Sequence, residues 1–410
     1  MSETSPLPER SRAVITGIGV VAPNGFDTDE YWDALLHGRS GIERVTRFDP
    51  AQYPVQLAGE VAGYDVREHI PGRLVPQTDQ ATRLALIAAD GAISDSALDL
   101  AAVRADRVGI VTGISAGGLE FSQRELAKLW NLGSEHVSAY LSFSWFYAVN
   151  TGQLSIRHRM LGSGGVLTGQ TAGLDSIAQA RRYVADGMSV VMCGAAESTL
   201  CPLGWVIELT TGRMSTAVDP ARAYLPFDAA ASGYLLGEGG AMLLVEEAGH
   251  AAARGARSYG EIAGYATTFD PDPASGREPG LRRAIELALS DADMSPADVD
   301  VVFADAAGVA DLDRAEAAAV TGVFGPRAVP VTAPKTMTGR LYSGSPALDV
   351  ATASLSIRHG VIPPTINVTE PVGSDQLDLV VGQPRETTVT SAVVLARGGG
   401  INSVMVLTAP

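Results

Sequence analysis

Side chains carry chemistry only where the backbone aims them, and one stretch of this sequence builds a place for a nucleophile. Val166-Leu167-Thr168-Gly169-Gln170-Thr171-Ala172-Gly173-Leu174-Asp175 reads as a strand ending at Gly169, a tight turn carrying residue 170, and a helix that begins at once. A side chain at such a tip points into a pocket at a helix N-terminus. The free N–H groups and positive dipole end there would lower a thiol's pKa and bind an oxyanion. The residue at the tip is Gln170. A carboxamide can only donate and accept hydrogen bonds, so acyl transfer from this position is unavailable. Two roles stay open for Gln170: a polar plug or helix cap, and a hydrogen-bond donor to a developing enolate.

Other reactive groups are sparse. Cys193 ends an apolar strand and Cys201 precedes Pro202; both read as small core residues, and neither starts a helix within an elbow. His37, His69, His136, His158, His250 and His359 show no metal-ligand spacing, so neither a metal nor a cofactor is expected. Gly237-Glu238-Gly239-Gly240 feeds strand-like Ala241 to Val245 rather than a helix, which argues against a dinucleotide loop.

The chain that must position these groups has 410 residues, of which 46% are hydrophobic and 19% charged, enough to bury a large core. Its formal net charge of −16 would repel a phosphate backbone, which excludes nucleic acid as an expected partner. No apolar run reaches the roughly 18 residues needed to span a bilayer. The first twelve residues hold no signal-peptide core. A cytoplasmic protein is expected.

Strand-like and helical stretches alternate. Ala13 to Val21, Arg107 to Thr112, Val166 to Thr168 and Ser189 to Gly194 read as strands, with helices at 27–36, 79–98, 118–132 and 172–187. A second round follows, with strands at 261–266, 300–304, 329–331, 389–395 and 403–407 and helices at 280–291, 311–324 and 346–359. This predicts an α/β protein with buried, largely parallel sheets, in two halves, 1–250 and 251–410, joined within 249–258. No strong residue-level repeat links them.

Taken together in order, Gly17-Ile18-Gly19, Thr112-Gly113-Ile114-Ser115-Ala116-Gly117-Gly118, the Gln170 elbow, Pro226-Phe227-Asp228, Gly237-Glu238-Gly239, Lys335-Thr336-Met337-Thr338-Gly339 and Gly398-Gly399-Gly400-Ile401-Asn402 resemble the ketosynthase branch of the thiolase superfamily over nearly the whole chain. The resemblance implies a thiolase-like αβαβα layered fold. Active members use an elbow Cys and two His. Here those positions are Gln170, Asp305 and Arg340, while Lys335 is retained, and no histidine lies between His250 and His359. The resemblance thus implies a chain without Cys-His-His chemistry, in which Asp305 and Arg340 form an inert salt bridge or, alternatively, take a catalytic part. Lys335 is expected in a buried ion pair.

The elbow glutamine and the run Ser144-Trp145-Phe146-Tyr147-Ala148-Val149-Asn150-Thr151-Gly152-Gln153 are similar to those of chain-length factors, the ketosynthase beta subunits of type II aromatic polyketide synthases. That implies a heterodimer with a catalytic ketosynthase alpha subunit, a shared tunnel for a growing poly-β-keto chain, and substrates carried as malonyl and polyketide thioesters on an acyl carrier protein. Leu119, Ser122 and Leu126, spaced i, i+3, i+7, are a core-facing stripe by pattern alone. By resemblance they line the tunnel, and their modest size implies a long cavity and product. Trp145, Phe146 and Tyr147 are core residues by composition and interface residues by resemblance. Arg181-Arg182 and Arg282-Arg283 are either carrier-protein contacts or solvated surface pairs. The alternative function is a malonyl-carrier-protein decarboxylase that uses Gln170; a third is a recruited scaffold.

Overall fold

The computed structural model describes residues 11–372 and 376–410. Eleven strands form one sheet: β1 (Ala13–Val21), β2 (Val108–Ile114), β3 (Gly164–Thr168), β4 (Val190–Glu197), β5 (Gly239–Glu247), β6 (Gly260–Phe269), β7 (Val301–Phe303), β8 (Pro330–Thr332), β9 (Asp378–Leu379), β10 (Ser391–Gly398) and β11 (Ile401–Thr408). Their order is β9-β8-β7-β10-β11-β6-β1-β5-β4-β2-β3. The sheet is two copies of one five-stranded pattern, with β9 added at one edge, parallel to β8. In the first, β2 lies parallel to β3 and β4, and the β4/β5 and β5/β1 ladders are antiparallel. In the second, β7 lies parallel to β8 and β10, and the β10/β11 and β11/β6 ladders are antiparallel. Only Val14↔Glu261 and Ile15↔Gly260 join the copies, across β1 and β6.

The expectation of largely parallel sheets is therefore corrected, since the central strands are antiparallel. All nine residues of β1 are buried, as are all eight of β4. A strand covered on both faces reads as a continuous apolar run whichever way its neighbours point. Direction was set by connections instead: β10 and β11 are joined by a tight hairpin, which permits only antiparallel pairing.

Seven helices matter here: α1 (Gln80–Ser96), α2 (Leu119–Leu132), α3 (Val149–His158), α4 (Ala172–Ala185), α5 (Leu281–Asp291), α6 (Ala310–Phe324) and α7 (Gly344–His359). Helix α1 starts where the Asp79 carboxylate accepts the Ala81 N–H at 3.1 Å, and it covers the outer face of β1 and β5. Helix α5 covers β6 and β11. Helices α4 and α7 fill the space between the two curved halves of the sheet, and every residue of α7 from Gly344 to Ser356 is buried. The layers run α, β, α, β, α, as expected. The middle layer places the N-termini of α4 and α7 side by side, and the site forms there.

Candidate functional site

The elbow is built from the backbone outward. Strand β3 ends at Thr168, and Gly169 turns the chain at φ +124°, a conformation a side chain rarely adopts. Its N–H donates to the Ile114 carbonyl at 3.1 Å, and its carbonyl accepts the Ser115 hydroxyl at 3.0 Å. Ser115 Oγ in turn accepts the Ser343 N–H at 3.0 Å, which ties the elbow to the start of α7. Buried Glu197 holds the rest: its Oε2 accepts the N–H groups of Ser115 and Ala116 at 2.6 and 3.3 Å and the Ser343 hydroxyl at 3.0 Å. Burial pushes this carboxyl up to about 7, against the hydrogen bonds that favour its charge.

Gln170 stands at the tip, exposed on the isolated chain. It does not cap α4. The N-cap residue is Thr171, whose hydroxyl donates to Asp175 at 2.8 Å. Among the described residues the Gln170 amide has no hydrogen-bond partner. It lies instead against the terminal hairpin: a Cβ built on Gly398 would sit 2.3 Å from Gln170 Oε1 and 2.5 Å from its Cβ. Glycine at 398 is thus a steric requirement of the glutamine at 170.

Asp305 and Arg340 meet as a bidentate pair. Arg340 Nη2 lies 3.0 and 3.1 Å from the two carboxylate oxygens, and Nη1 donates to the Asp305 carbonyl at 2.8 Å. Both side chains are largely buried. Burial opposes ionisation of Asp305, but Arg340, followed by Lys335, outweighs it and holds the carboxyl below its usual range. Lys335 pairs with Asp349 at 2.7 Å and donates to the Ala304 and Asp305 carbonyls at 2.8 and 3.2 Å. A guanidinium locked to a carboxylate offers no lone pair and no mobile proton at neutral pH, so this pair cannot do an imidazole's work.

Gln170, Asp305 and Arg340 line one cavity of about 510 Å³, so the structure brings them together. Sequence reasoning missed several other residues of that wall. Glu208, Tyr234, Tyr342 and Arg397 all border it. Tyr234 and Tyr342 each donate a hydroxyl to Glu208. The Arg397 N–H donates to Asp305 Oδ1 at 3.0 Å. No local sequence signal marks these residues, because they come from separate segments between positions 208 and 397 that only the fold joins.

Leu119, Ser122 and Leu126 do not border this cavity. They lie on α2, whose buried residues are Phe121 and Glu125. Leu119 and Ser122 are half-buried and Leu126 is exposed, so the core-facing reading from periodicity is corrected. The segment 130–161 carries other exposed apolar groups: Trp130 at 81%, Ile156 at 78% and Leu161 at 66% exposure, with Trp145 and Phe146 at 48% and Tyr147 at 41%. Beside them β3 ends the sheet, paired on one side only. The core reading of the aromatic run therefore fails as well.

Each basic pair is partly compensated, by one carboxylate. Arg181 binds Asp291 at 2.5 Å, and Arg282 binds Glu286 at 3.1 Å with Arg283 3.9 Å from the same carboxylate. Cys201 is a buried core residue, as expected, and it also caps a helix, Pro202–Leu209. Burial nevertheless raises its thiol to about 11, and burial raises Cys193 as well, so neither is an activated thiolate. Among the described residues no group of three or more His, Cys, Asp or Glu could hold a metal ion, and no helix is long and apolar enough to cross a membrane.

Comparison with known proteins sharpens this picture. The family model for the beta-ketoacyl synthase N-terminal domain matches residues 10–251, and that for the C-terminal domain matches residues 259–369. The chain is 55% identical over 398 residues to the tetracenomycin polyketide synthase ketoacyl synthase beta subunit of Streptomyces glaucescens, covering 96% of this chain and 97% of that protein. The alpha subunit of the same synthase is 34% identical, with 97% of each chain covered. Among solved structures, the ishigamide ketosynthase/chain length factor superposes with a TM-score of 0.90 at 28% identity, covering 98% of this chain and 100% of that one. A type II PKS acyl-carrier protein in complex with its ketosynthase bound to the hexaketide contributes a chain with a TM-score of 0.88 at 26% identity, covering 98% and 100%.

Proposed function

Since the chain belongs to the beta-ketoacyl synthase family, among the polyketide ketoacyl synthase beta subunits, we propose that it is the chain-length factor of a type II polyketide synthase. The observation that carries this is the elbow itself: a carboxamide at the nucleophile's position, beside a buried Asp305–Arg340 pair. A chain so equipped cannot condense alone, so a ketosynthase alpha subunit supplies Cys-His-His. The unpartnered face around α2, α3 and β3 supports that assembly. Its exposed aromatic residues are suited to anchoring a partner, and the free β3 edge offers main-chain hydrogen bonds. The assembly works in the cytoplasm on malonyl and polyketide thioesters of an acyl carrier protein, whose docking falls to the alpha subunit, because this chain carries −16 and each of its candidate basic pairs is partly compensated by a carboxylate.

On this reading Leu119, Ser122 and Leu126 form a wall of the tunnel between the subunits, and their size leaves room for a long chain. A large side chain there occupies the volume of a further ketide unit. Co-expression with the alpha subunit and mass spectrometry of the products tests it. Leu119→Trp and Ser122→Trp should each shorten the dominant product by at least one two-carbon unit at preserved total yield. Unchanged product length at preserved yield refutes the gate.

A second reading has its own support. The Gln170 amide is unbonded and borders an open cavity, so its N–H groups are free to hold a thioester oxygen. That arrangement suits decarboxylation of a malonyl thioester, which would prime the chain.

A further inference from the structure

The cavity that holds Gln170 also holds a phenol–carboxylate–phenol cluster. Glu208, on the Pro202–Leu209 helix, accepts the Tyr234 hydroxyl on one carboxylate oxygen and the Tyr342 hydroxyl on the other. Glu208 and Tyr234 are buried, at 4% and 9% exposure, yet all three side chains border the cavity. Tyr342 keeps its place at φ +49°, a conformation costly for a bulky residue. The Arg340 guanidinium, already paired with Asp305, lies over the Tyr234 ring at 5.6 Å from its centroid. Burial, reinforced by Glu208, raises the Tyr234 phenol to about 12, so at neutral pH it holds its proton and can act as an acid.

We propose that Tyr234 is the general acid of a malonyl-thioester decarboxylation in this cavity, with Glu208 and Tyr342 as its positioning residues. The assignment rests on the second reading above and supplies the proton donor that reading lacks. The bond between Cα and the carboxylate carbon breaks, carbon dioxide leaves, and the electron pair moves into the thioester enolate. The Gln170 N–H groups hold the enolate oxygen. The Tyr234 hydroxyl then turns its proton to Cα, forming the new C–H bond of the acetyl thioester, while Tyr342 keeps Glu208 hydrogen-bonded. Arg340 over the ring stabilises the phenolate until water returns a proton through the cavity mouth. One solvent proton is consumed per turnover.

The test uses the full chain assembled with its ketosynthase alpha subunit and a malonyl-loaded acyl carrier protein. Malonyl loss and acetyl formation are followed by intact-protein mass spectrometry in water and in an equal mixture of H2O and D2O. Gln170→Ala sets the partner's own background. Tyr234→Phe should lower acetyl formation by at least about tenfold and change the hydrogen/deuterium preference of the new C–H bond. Tyr342→Phe should cost less and leave that preference intact. If Gln170→Ala leaves the rate unchanged, decarboxylation in this subunit falls and this assignment with it. If Gln170→Ala abolishes the extra rate while Tyr234→Phe keeps both rate and isotope preference, the acid assignment alone is overturned. Should Tyr234→Phe fail to assemble, 3-fluorotyrosine at 234 preserves ring and hydroxyl while changing acidity. An unchanged isotope preference there also overturns it.

Discussion

Arg340→Met isolates the charge of Asp305. In the native protein the carboxylate receives two bonds from the guanidinium, at 3.0 and 3.1 Å, and one from the Arg397 N–H at 3.0 Å. The variant leaves it with the single backbone donor among the described residues. Breaking a buried pair by removing one partner costs about 3–5 kcal/mol, most of it the desolvation of the stranded charge. Unfolding entropy of about 2.1 cal/mol/K per residue makes a chain of this size lose one degree of melting temperature for about 0.9 kcal/mol. The melting temperature should therefore fall by about 3–6 °C at neutral pH. The sign of the pH dependence follows from the depressed Asp305 carboxyl. Its stabilisation is present above the unfolded carboxyl value, near 3.9, and is lost as pH falls through the lower folded value. In the variant the strongest of the cations that hold Asp305 down is gone while Lys335 and Arg397 remain, so burial is opposed less and the folded value rises. The gap between native and variant should be widest near pH 8 and narrow towards pH 5. Calorimetry of the assembled complex reads it, with the double variant Asp305→Asn, Arg340→Met recovering most of the loss. A gap independent of pH, or a double variant no better than the single one, refutes the reasoning.

Three further outcomes are expected. Trp130→Glu should leave the melting of the isolated chain within about 0.5 kcal/mol, since the side chain is 81% exposed. It should nonetheless weaken heterodimer recovery in size-exclusion chromatography about thirtyfold, as loss of an interface anchor does. Gly398→Ala puts a methyl group 2.3 Å from Gln170 Oε1, which should cost about 1–3 kcal/mol in urea unfolding. Adding Gln170→Gly, which removes both the amide and the Cβ 2.5 Å away, should restore most of it, and additive losses would show that the two residues do not compete for space. Glu197 is held up at about 7 by burial, so its contribution to stability is present below the unfolded carboxyl value and is lost as pH rises through about 7. Glu197→Gln should flatten the fall in melting temperature between about pH 5 and 7; an unchanged slope would assign that fall to other groups.

Local order along the chain was legible because it rests on short-range physics. The elbow between β3 and α4 could be read from a strand, a glycine and a helix start. Its Gln170 excluded acyl transfer before any contact was known, because an amide lacks the required lone pair. Helix α1, Gln80–Ser96, falls within the expected stretch 79–98. The direction of the central strands was not legible, since buried strands are apolar in either direction. Nor was the face of α2: the spacing of Leu119, Ser122 and Leu126 resembles a core stripe, but the helix buries Phe121 and Glu125 and turns the stripe outward.

The amino-acid sequence by itself determined which reactive groups exist: no thiol at the elbow, no imidazole between residues 250 and 359, and an aspartate and an arginine in the place of two histidines. Only the tertiary structure decided what those groups do to one another. It closed Arg340 onto Asp305, seated Gln170 against Gly398, and gathered Glu208, Tyr234 and Tyr342 around one cavity. Residue type sets which bonds a side chain can make. Which partner it meets, in how little water, is set by segments that are distant along the chain and adjacent only after the two sheet halves have packed around α4 and α7.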